Sequence, residues 1–262
     1  MGKFDGKFIK GLVGKSIFRE YRGQQIIQGV SRNKVKQHAH SKAASAVFGT
    51  SSKLGSYIRA GLDGLITNNY DGGMSARFNG DLLFALRSAL VKETQTFDFK
   101  SNSFNRLAGF EFNIHSPLKN NFFAQPTLSI DGGLLKIDIP EMHLPQDVKF
   151  PHAIQYCKMI VGTALFDLTN GYYRDAEYEV LDFKYQNEPS VIPSAHFSFQ
   201  TEPGCLCITG ISLRFYEKTF LGDTYINDKI FNPTAILNAV LLPGEVDELK
   251  TKKWDSMSFK TS

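Results

Sequence analysis

The sequence has little cysteine, a single tryptophan and no long apolar run. Its three cysteines in 262 residues are too few for a disulfide framework, and they favour a reducing compartment. No stretch of about 18 apolar residues is present to span a bilayer, and the first residues lack the apolar segment of a secretory signal. We therefore expect a protein of the cytoplasm, or of a particle assembled there, without membrane insertion.

Motifs for nucleotide binding, metal binding and nucleophilic catalysis are also missing. Gly11-Leu12-Val13-Gly14-Lys15-Ser16 has two residues between its glycines, where a phosphate-binding loop has four. The six histidines have no cysteine or carboxylate at ligand spacing, and Cys205-Leu206-Cys207 differs from the Cys-x-x-Cys of zinc and redox sites. No Gly-x-Ser-x-Gly elbow occurs. We predict no cofactor, no metal and no catalytic residue, and we interpret the cysteines as buried small apolar side chains.

The charge is unevenly distributed along the chain. Residues 1–60 hold twelve Lys and Arg against Asp5 and Glu20, whereas residues 61–262 have a net charge of −6 within an overall +4. Such a basic segment indicates an acidic partner, which could be a nucleic acid, an anionic membrane surface or the acidic body of a neighbouring copy. Self-association is favoured because one chain carries both signs. A solvated arm without a specific partner is the structural alternative.

The basic arm is the most informative part of the sequence, because its cations alternate with Phe4, Phe8, Phe18 and Tyr21. Basic and aromatic residues in this pattern can follow a single nucleic-acid strand. They also suit a hairpin that adds to the sheet of a neighbour. The candidate partner-binding residues are Lys7, Lys10, Lys15, Arg19, Tyr21, Arg22, Arg32, Lys34 and Lys36.

Residues 16–21 and 24–27 flank Arg22-Gly23 and predict a hairpin. Apolar residues then recur at helical spacing over 41–66 and again over 74–91. We predict two helices whose apolar stripes form core or interface. The second stripe consists of Met74, Phe78, Leu82, Leu86 and Leu90.

From residue 96 the apolar period changes to two, which is typical of half-buried strands. Turn signals such as Asp131-Gly132 and Pro203-Gly204 recur at strand spacing. We predict a mainly β protein with two N-terminal helices, whose antiparallel sandwich is of the immunoglobulin-like or jelly-roll type. The expected division is a basic hairpin arm with a helical pair over 1–95, the β-sandwich over 96–245 and a frayed polar tail over 246–262. Phe97/Phe99 and Phe110/Phe112/Ile114 are among the expected strand alternations.

The N-terminal quarter resembles a family of unknown function that is common in Bacteroidota. That family has a Gly-rich start, a basic hairpin and an Ala-rich helix. The resemblance implies a bacterial or phage-associated protein of the cytoplasm, and it implies no catalytic residues. The matching residues are Gly11-Leu12-Val13-Gly14-Lys15, Tyr21-Arg22-Gly23-Gln24, Ile26-Ile27, Arg32, Lys34, Lys36 and Ala43–Leu62.

The sequence as a whole predicts a non-catalytic structural or assembly protein. Its basic arm and helices would mediate self-association, as a homo-oligomer, or docking on a larger protein assembly. A nucleic-acid-binding protein that uses the same arm is the alternative. A hydrolase acting in a groove of the sandwich is a third hypothesis, and it requires converging carboxylates or histidines.

Overall fold

The computed structural model describes residues 2–21, 23–30, 38–151 and 154–261, with backbone alone at residues 39 and 40. It divides the chain into two compact units, Met1–Ala44 and Ser45–Ser262. The helices over 45–89 therefore belong to the same unit as the later strands, and the units do not divide at the expected residue 95. The fold is mainly β, with antiparallel sheets, as the sequence predicts.

The first unit contains a four-stranded antiparallel sheet, which we call the N-terminal sheet. Its strands follow one another in chain order, because each is joined to the next by a short turn. The expected hairpin over 16–27 is present as the third and fourth strands. The strands are β1 (Lys3–Phe4), β2 (Ile9–Val13), β3 (Ser16–Tyr21) and β4 (Gln24–Gly29).

The helical segments lie where the apolar spacing predicts them. The first runs from α1 (Ala39–Gly61) into the short α2 (Asp63–Ile66), and the second is α3 (Met74–Ala89). Four of the five predicted stripe residues, Met74, Phe78, Leu82 and Leu86, are fully buried on α3, and the fifth, Leu90, directly follows the helix. A further short helix near the end of the chain is α4 (Glu248–Thr251).

Thirteen further strands are described in the second unit. They are β5 (Leu90–Val91), β6 (Thr96–Phe97), β7 (Thr127–Asp131), β8 (Leu134–Ile139), β9 (Met142–Leu144), β10 (Tyr156–Asp167), β11 (Tyr172–Lys184), β12 (Ser190–Ile192), β13 (Ala195–Gln200), β14 (Leu206–Thr219), β15 (Gly222–Tyr225), β16 (Thr234–Leu241) and β17 (Asp255–Ser256).

A long sheet forms the centre of this unit, in the order β15-β14-β10-β11-β17. β15 and β16 pair with the same edge of β14, at residues 216–219 and 206–212. A small sheet, β13-β8-β7, and two strand pairs, β12-β9 and β5-β6, complete the pairing among the described residues.

Both faces of the long sheet are covered. Alternate residues of β10 and β14 join two different cores, one with the helices and the other with the small sheet. Phe166 and Ile208 belong to the same core as Ile58 on the helical side, whereas Val161 belongs to the same core as Ile137 on the other side. An immunoglobulin-like or jelly-roll sandwich is therefore not confirmed, since helices occupy one face of the principal sheet.

Two expectations about local structure differ from the described fold. Residues 98–126, which we call the irregular segment, follow β6 and form loops, two short 3-10 turns and two isolated bridges, Glu111↔Ala235 and Phe122↔Val148. Phe110 and Phe112 are buried there without being part of a strand, and Ile114 is exposed. The expected frayed tail is instead docked, because β17 pairs with β11 and the next apolar residues, Met257 and Phe259, are buried.

Candidate functional site

The N-terminal sheet carries the predicted partner-binding residues that the structure describes. β3 and β4 pair from Ser16↔Gly29 to Tyr21↔Gln24, across a two-residue turn in which Gly23 has a φ of +73°. Pairing between β2 and β3 stops at Gly11↔Phe18. Beyond that point the Gln25 amide replaces the ladder, since it accepts from the Ile9 N–H at 2.7 Å and donates to the Ile9 carbonyl at 2.9 Å.

This sheet has no core of its own. Among residues 2–21 and 23–30 none is buried. The β3–β4 register places Ile17 and Ile26 on one face and Phe18 and Ile27 on the other, so neither face is purely polar. Small sheets need a packed apolar face for stability, and here both faces offer one. The exposed apolar residues are Phe4, Ile9, Leu12, Val13, Ile17, Tyr21, Ile27 and Val30.

β4 is an edge strand among the described residues, with β3 as its neighbour. The Val30 N–H donates to the Lys15 carbonyl at 2.8 Å, so the alternation of an antiparallel ladder turns the N–H of Ile27 away from β3. Gln24–Gly29 contains no charged residue and no proline. Charges and prolines are the usual protection of an edge against pairing with another chain. β4 is therefore an unprotected template for strand addition.

The N-terminal sheet has fewer cations available to an external partner than the sequence suggests. Lys10 Nζ lies 2.7 Å from both Asp5 and Glu20, the only acidic residues among the first 60. These contacts raise the pKa of Lys10, and the Lys10 ammonium, with the Phe8 and Lys7 N–H groups, lowers the pKa of Asp5 to about 2. The positive charge of Lys10 is therefore neutralised by acidic residues of the N-terminal sheet itself.

The other predicted residues have different surroundings. Lys7 Nζ lies 5.3 Å from the centre of the Phe8 ring, and Lys15 lies in the turn between β2 and β3. Arg19 and Tyr21 are exposed on β3. The last four predicted residues lie outside the described residues; they are Arg22, Arg32, Lys34 and Lys36.

A serine, a histidine and an aspartate line one surface cleft, but their geometry does not form a catalytic triad. Ser190 pairs with Leu144 and Val191 pairs with His143, so Ser190 and His143 lie on opposite faces of the β9–β12 pair. Asp147 accepts from the backbone N–H of His143 and not from its ring. Within the described residues no group of three His, Cys, Asp or Glu side chains could hold a metal ion.

All three cysteines are free and buried, as the sequence predicts. Burial raises the pKa of Cys205 and of Cys207 to about 12, and it also raises the pKa of Cys157. Because the thiolate is the reactive form, these side chains are suited to packing and not to thiol chemistry.

We expect no thiol of the native protein to react with a maleimide at pH 7, over a time in which all three react in denaturant. Burial and raised pKa values both suppress the thiolate. Mass spectrometry of the labelled protein counts the modified cysteines. A native protein that labels quickly at one site would contradict the described packing around that cysteine.

A second surface was not predicted from the sequence. Phe220 and Leu221 occupy the turn between β14 and β15 and are 99% and 91% exposed. The sequence signals only a turn at Leu221-Gly222-Asp223. The feature of the sequence that marks this surface is the apolar pair Phe220-Leu221, at positions where turns favour small polar residues.

Comparison with known proteins identifies no relative: no family model, no curated protein and no solved structure matches the chain. No helix in the described part of the chain is both long and apolar enough to cross a membrane. The functional argument therefore depends on the geometry of this chain.

Proposed function

We propose that this protein is a non-catalytic assembly protein whose N-terminal sheet docks on other copies of the chain, in the cytoplasm or in a particle assembled there. The observation that carries the proposal is a four-stranded sheet with exposed apolar residues and no buried residue over 2–21 and 23–30. Burying one large aliphatic side chain contributes about 1.5–3 kcal/mol. A partner that covers several of them therefore stabilises the sheet substantially. The free cysteines support a reducing compartment.

A second copy is the partner that fits both the charge and the edge of this sheet. Residues 1–60 have a net charge of +10, whereas residues 61–262 have a net charge of −6. Opposite charges in one chain attract copies to each other, and the unprotected β4 supplies main-chain hydrogen bonds to an added strand.

Nucleic acid is the rival partner, and two observations count against it. Lys10 is paired with Asp5 and Glu20, which removes one cation from any phosphate-binding surface. Phosphate contacts would also leave apolar residues such as Leu12 and Ile27 exposed. Binding through phosphates would fall steeply with salt, which makes the two hypotheses separable.

The decisive experiment is the solution mass of the protein and of Ile27→Lys, by size-exclusion chromatography with light scattering. We expect the wild type to be a discrete oligomer or a larger particle at physiological salt. Lys at position 27 places a charge on the β4 edge and removes an apolar contact, so the dissociation constant should rise about 10- to 100-fold.

The matched control is Ile230→Lys, which makes the same substitution at a similarly exposed isoleucine, 73% against 62%. It should leave the mass unchanged. A 29.3 kDa monomer for the wild type at every concentration would refute the proposal. If that monomer bound single-stranded RNA or DNA with an affinity that falls as salt rises, the N-terminal sheet would instead be a nucleic-acid-binding surface.

Charge reversal gives an independent test of the electrostatic part. Lys7→Glu with Lys15→Glu is the suitable pair, because reversing Lys10 would disrupt the internal pairs with Asp5 and Glu20. We expect the double variant to dissociate more readily than the wild type at low salt, and the difference to shrink as salt screens both proteins. An unchanged oligomer at every salt concentration would contradict the role of these lysines.

A further inference from the structure

The β14–β15 hairpin extends beyond the rest of the long sheet. β14 pairs with β10 as far as Tyr216↔Tyr156, and after that its only described partner is β15. Glu217–Thr224 is therefore a two-stranded projection, which we call the finger. Its last ladder pair is Thr219↔Gly222, and the Thr219 hydroxyl donates to the Gly222 carbonyl at 2.8 Å.

The finger presents two large apolar side chains at its tip. Two-residue hairpin turns favour Asn, Asp and Gly, but here the positions hold Phe220 and Leu221. Their exposure of 99% and 91% is the highest among the large apolar residues described. Two such neighbours at the end of a projection are suited to insertion into an apolar cavity.

The base of the finger is held by an ion pair and by packed tyrosine rings within the same chain. Lys158 Nζ lies 2.6 Å from Asp223 Oδ2 and 3.1 Å from the Tyr225 hydroxyl. Tyr216, which is fully buried at the base, has its ring centre 5.6 Å from that of Tyr225. The Asp223 charge is therefore paired within the chain, and Glu217 is the exposed acid of the finger that is left to face a partner.

A cleft of matching character lies beside β16. Its volume is about 320 Å³. Glu111 holds one wall, because its carboxylate accepts from the Leu118 N–H at 2.7 Å and from the Lys119 N–H at 3.2 Å. The Lys119 side chain is exposed at the rim. The apolar lining includes Leu118, Phe122, Phe123, Pro126, Ala235 and Leu237.

The finger cannot reach the cleft of its own chain. The cleft adjoins Ala235, which pairs with Ile211 of β14. The tip follows Thr219, eight residues further along the same strand. At 3.3 Å per residue the separation is about 26 Å. A contact between the two must join different copies.

We propose that Phe220 and Leu221 of one copy insert into the cleft beside β16 of another copy, with Glu217 facing Lys119 at the rim. The contact deepens the proposed assembly function and rests on it, since both require self-association. Finger and cleft are different surfaces, so the interface is head-to-tail, and repetition of it closes a ring or extends a filament.

Cross-linking between two singly substituted proteins tests the contact directly. Leu221→Cys and Phe123→Cys are mixed and treated with a short bismaleimide, to which the buried native cysteines contribute little background. We expect the mixed dimer to form about tenfold or more above the control, because docked thiols have a high effective concentration. The control pairs Phe123→Cys with Leu249→Cys, which is 79% exposed and distant in sequence from the finger.

The outcomes separate this proposal from the N-terminal one. Adding Phe220→Asp to Leu221→Cys should abolish the excess cross-link, whereas adding Ile27→Lys should preserve it. A yield equal to the control would overturn the finger contact, even if the solution mass still shows an oligomer. A cross-link with unchanged mass in Ile27→Lys would support the finger and refute the N-terminal sheet. Binding of phosphatidylcholine vesicles through Phe220, without the cross-link, would assign the tip to a lipid surface and overturn the proposal.

Discussion

Replacing Asp71 with alanine is expected to lower the free energy of unfolding by about 3 kcal/mol. The Asp71 side chain is 3% exposed and accepts two hydrogen bonds from Arg77 at 2.8 Å, one from the Gly73 N–H at 2.7 Å and one from the Ile114 N–H at 3.3 Å. Removing one partner of a buried ion pair costs about 3–5 kcal/mol. We expect the lower end because the Arg77 side chain remains 33% exposed to water.

Chemical denaturation followed by circular dichroism measures this loss. The control is Asp98→Ala, which breaks an ion pair with Lys100 in which both side chains are more than half exposed. Exposed pairs contribute about 0–1 kcal/mol, so the control should change little. Equal losses in the two variants would show that the burial of Asp71 is not what makes its contacts important.

The Asp71 carboxylate also makes the free energy of unfolding depend on pH in the acidic range. Burial acts to raise the pKa of Asp71, but the hydrogen bonds from Arg77, Gly73 and Ile114 outweigh it, and the pKa is lowered from 3.8. Folding therefore favours the ionised form. This stabilisation is fully present above the unfolded pKa and is lost as the pH falls through the lower folded pKa. Below pH 3.8 the difference in stability between wild type and Asp71→Ala should narrow.

Asp71 also matters for the proposed interface. Arg77 donates from Nη2 to the Glu111 carbonyl at 2.8 Å, and the Glu111 carboxylate holds the Leu118 and Lys119 N–H groups. The ion pair thus helps to position the irregular segment that walls the cleft. We expect the cross-link between finger and cleft to weaken in Asp71→Ala.

The sequence predicts the regular elements well where a local period is strong. The helical stripe of α3 and the turn at Asp131-Gly132 depend on neighbours within a few residues, and the structure has both. The N-terminal hairpin around Gly23 is local in the same way. The helical stripes are predicted as core or interface, but alternation along a strand does not reveal what covers each face, so the sequence does not decide between the two. In the structure they form a core on one face of the long sheet.

The irregular segment shows where a local pattern misleads. Phe110 and Phe112 alternate like strand residues, yet both rings pack on Phe78, with centres 5.0 and 6.1 Å away. Tertiary packing on α3 determines their burial. The docked end of the chain is similar, since Met257 and Phe259 are buried through contacts with residues distant in sequence.

The candidate site was predictable in part. The excess of basic residues is visible in the composition, but the pairing of Lys10 with Asp5 and Glu20 depends on the fold of the N-terminal sheet. The exposure of Phe220 depends on where pairing with β10 stops, and only the register shows that. The sequence therefore predicts which segment is unusual, and the structure determines which of its groups are available.

Phe78→Ala is expected to be among the most destabilising single substitutions, lowering the free energy of unfolding by about 3–5 kcal/mol. Phe78 is fully buried on α3, and its loss would leave a cavity beneath Phe110 and Phe112. The control on the same helix is Phe84→Ala. Phe84 is 54% exposed, and its ring contacts the Arg106 guanidinium at 4.6 Å, a contact that contributes about 0.5–1 kcal/mol.

Thermal and chemical denaturation of the two variants measure the difference, and similar losses would contradict the described orientation of α3.

The double variant Phe78→Ala with Asp71→Ala tests whether the two side chains act on the same part of the fold. Phe78 and Asp71 hold the same irregular segment, and they are connected because the Arg77 guanidinium lies 5.5 Å from the centre of the Phe110 ring. Residues that share partners show coupling energies of about 0.5–3 kcal/mol. We therefore expect the combined loss to be smaller than the sum of the single losses, since either substitution alone already loosens the wall of the cleft.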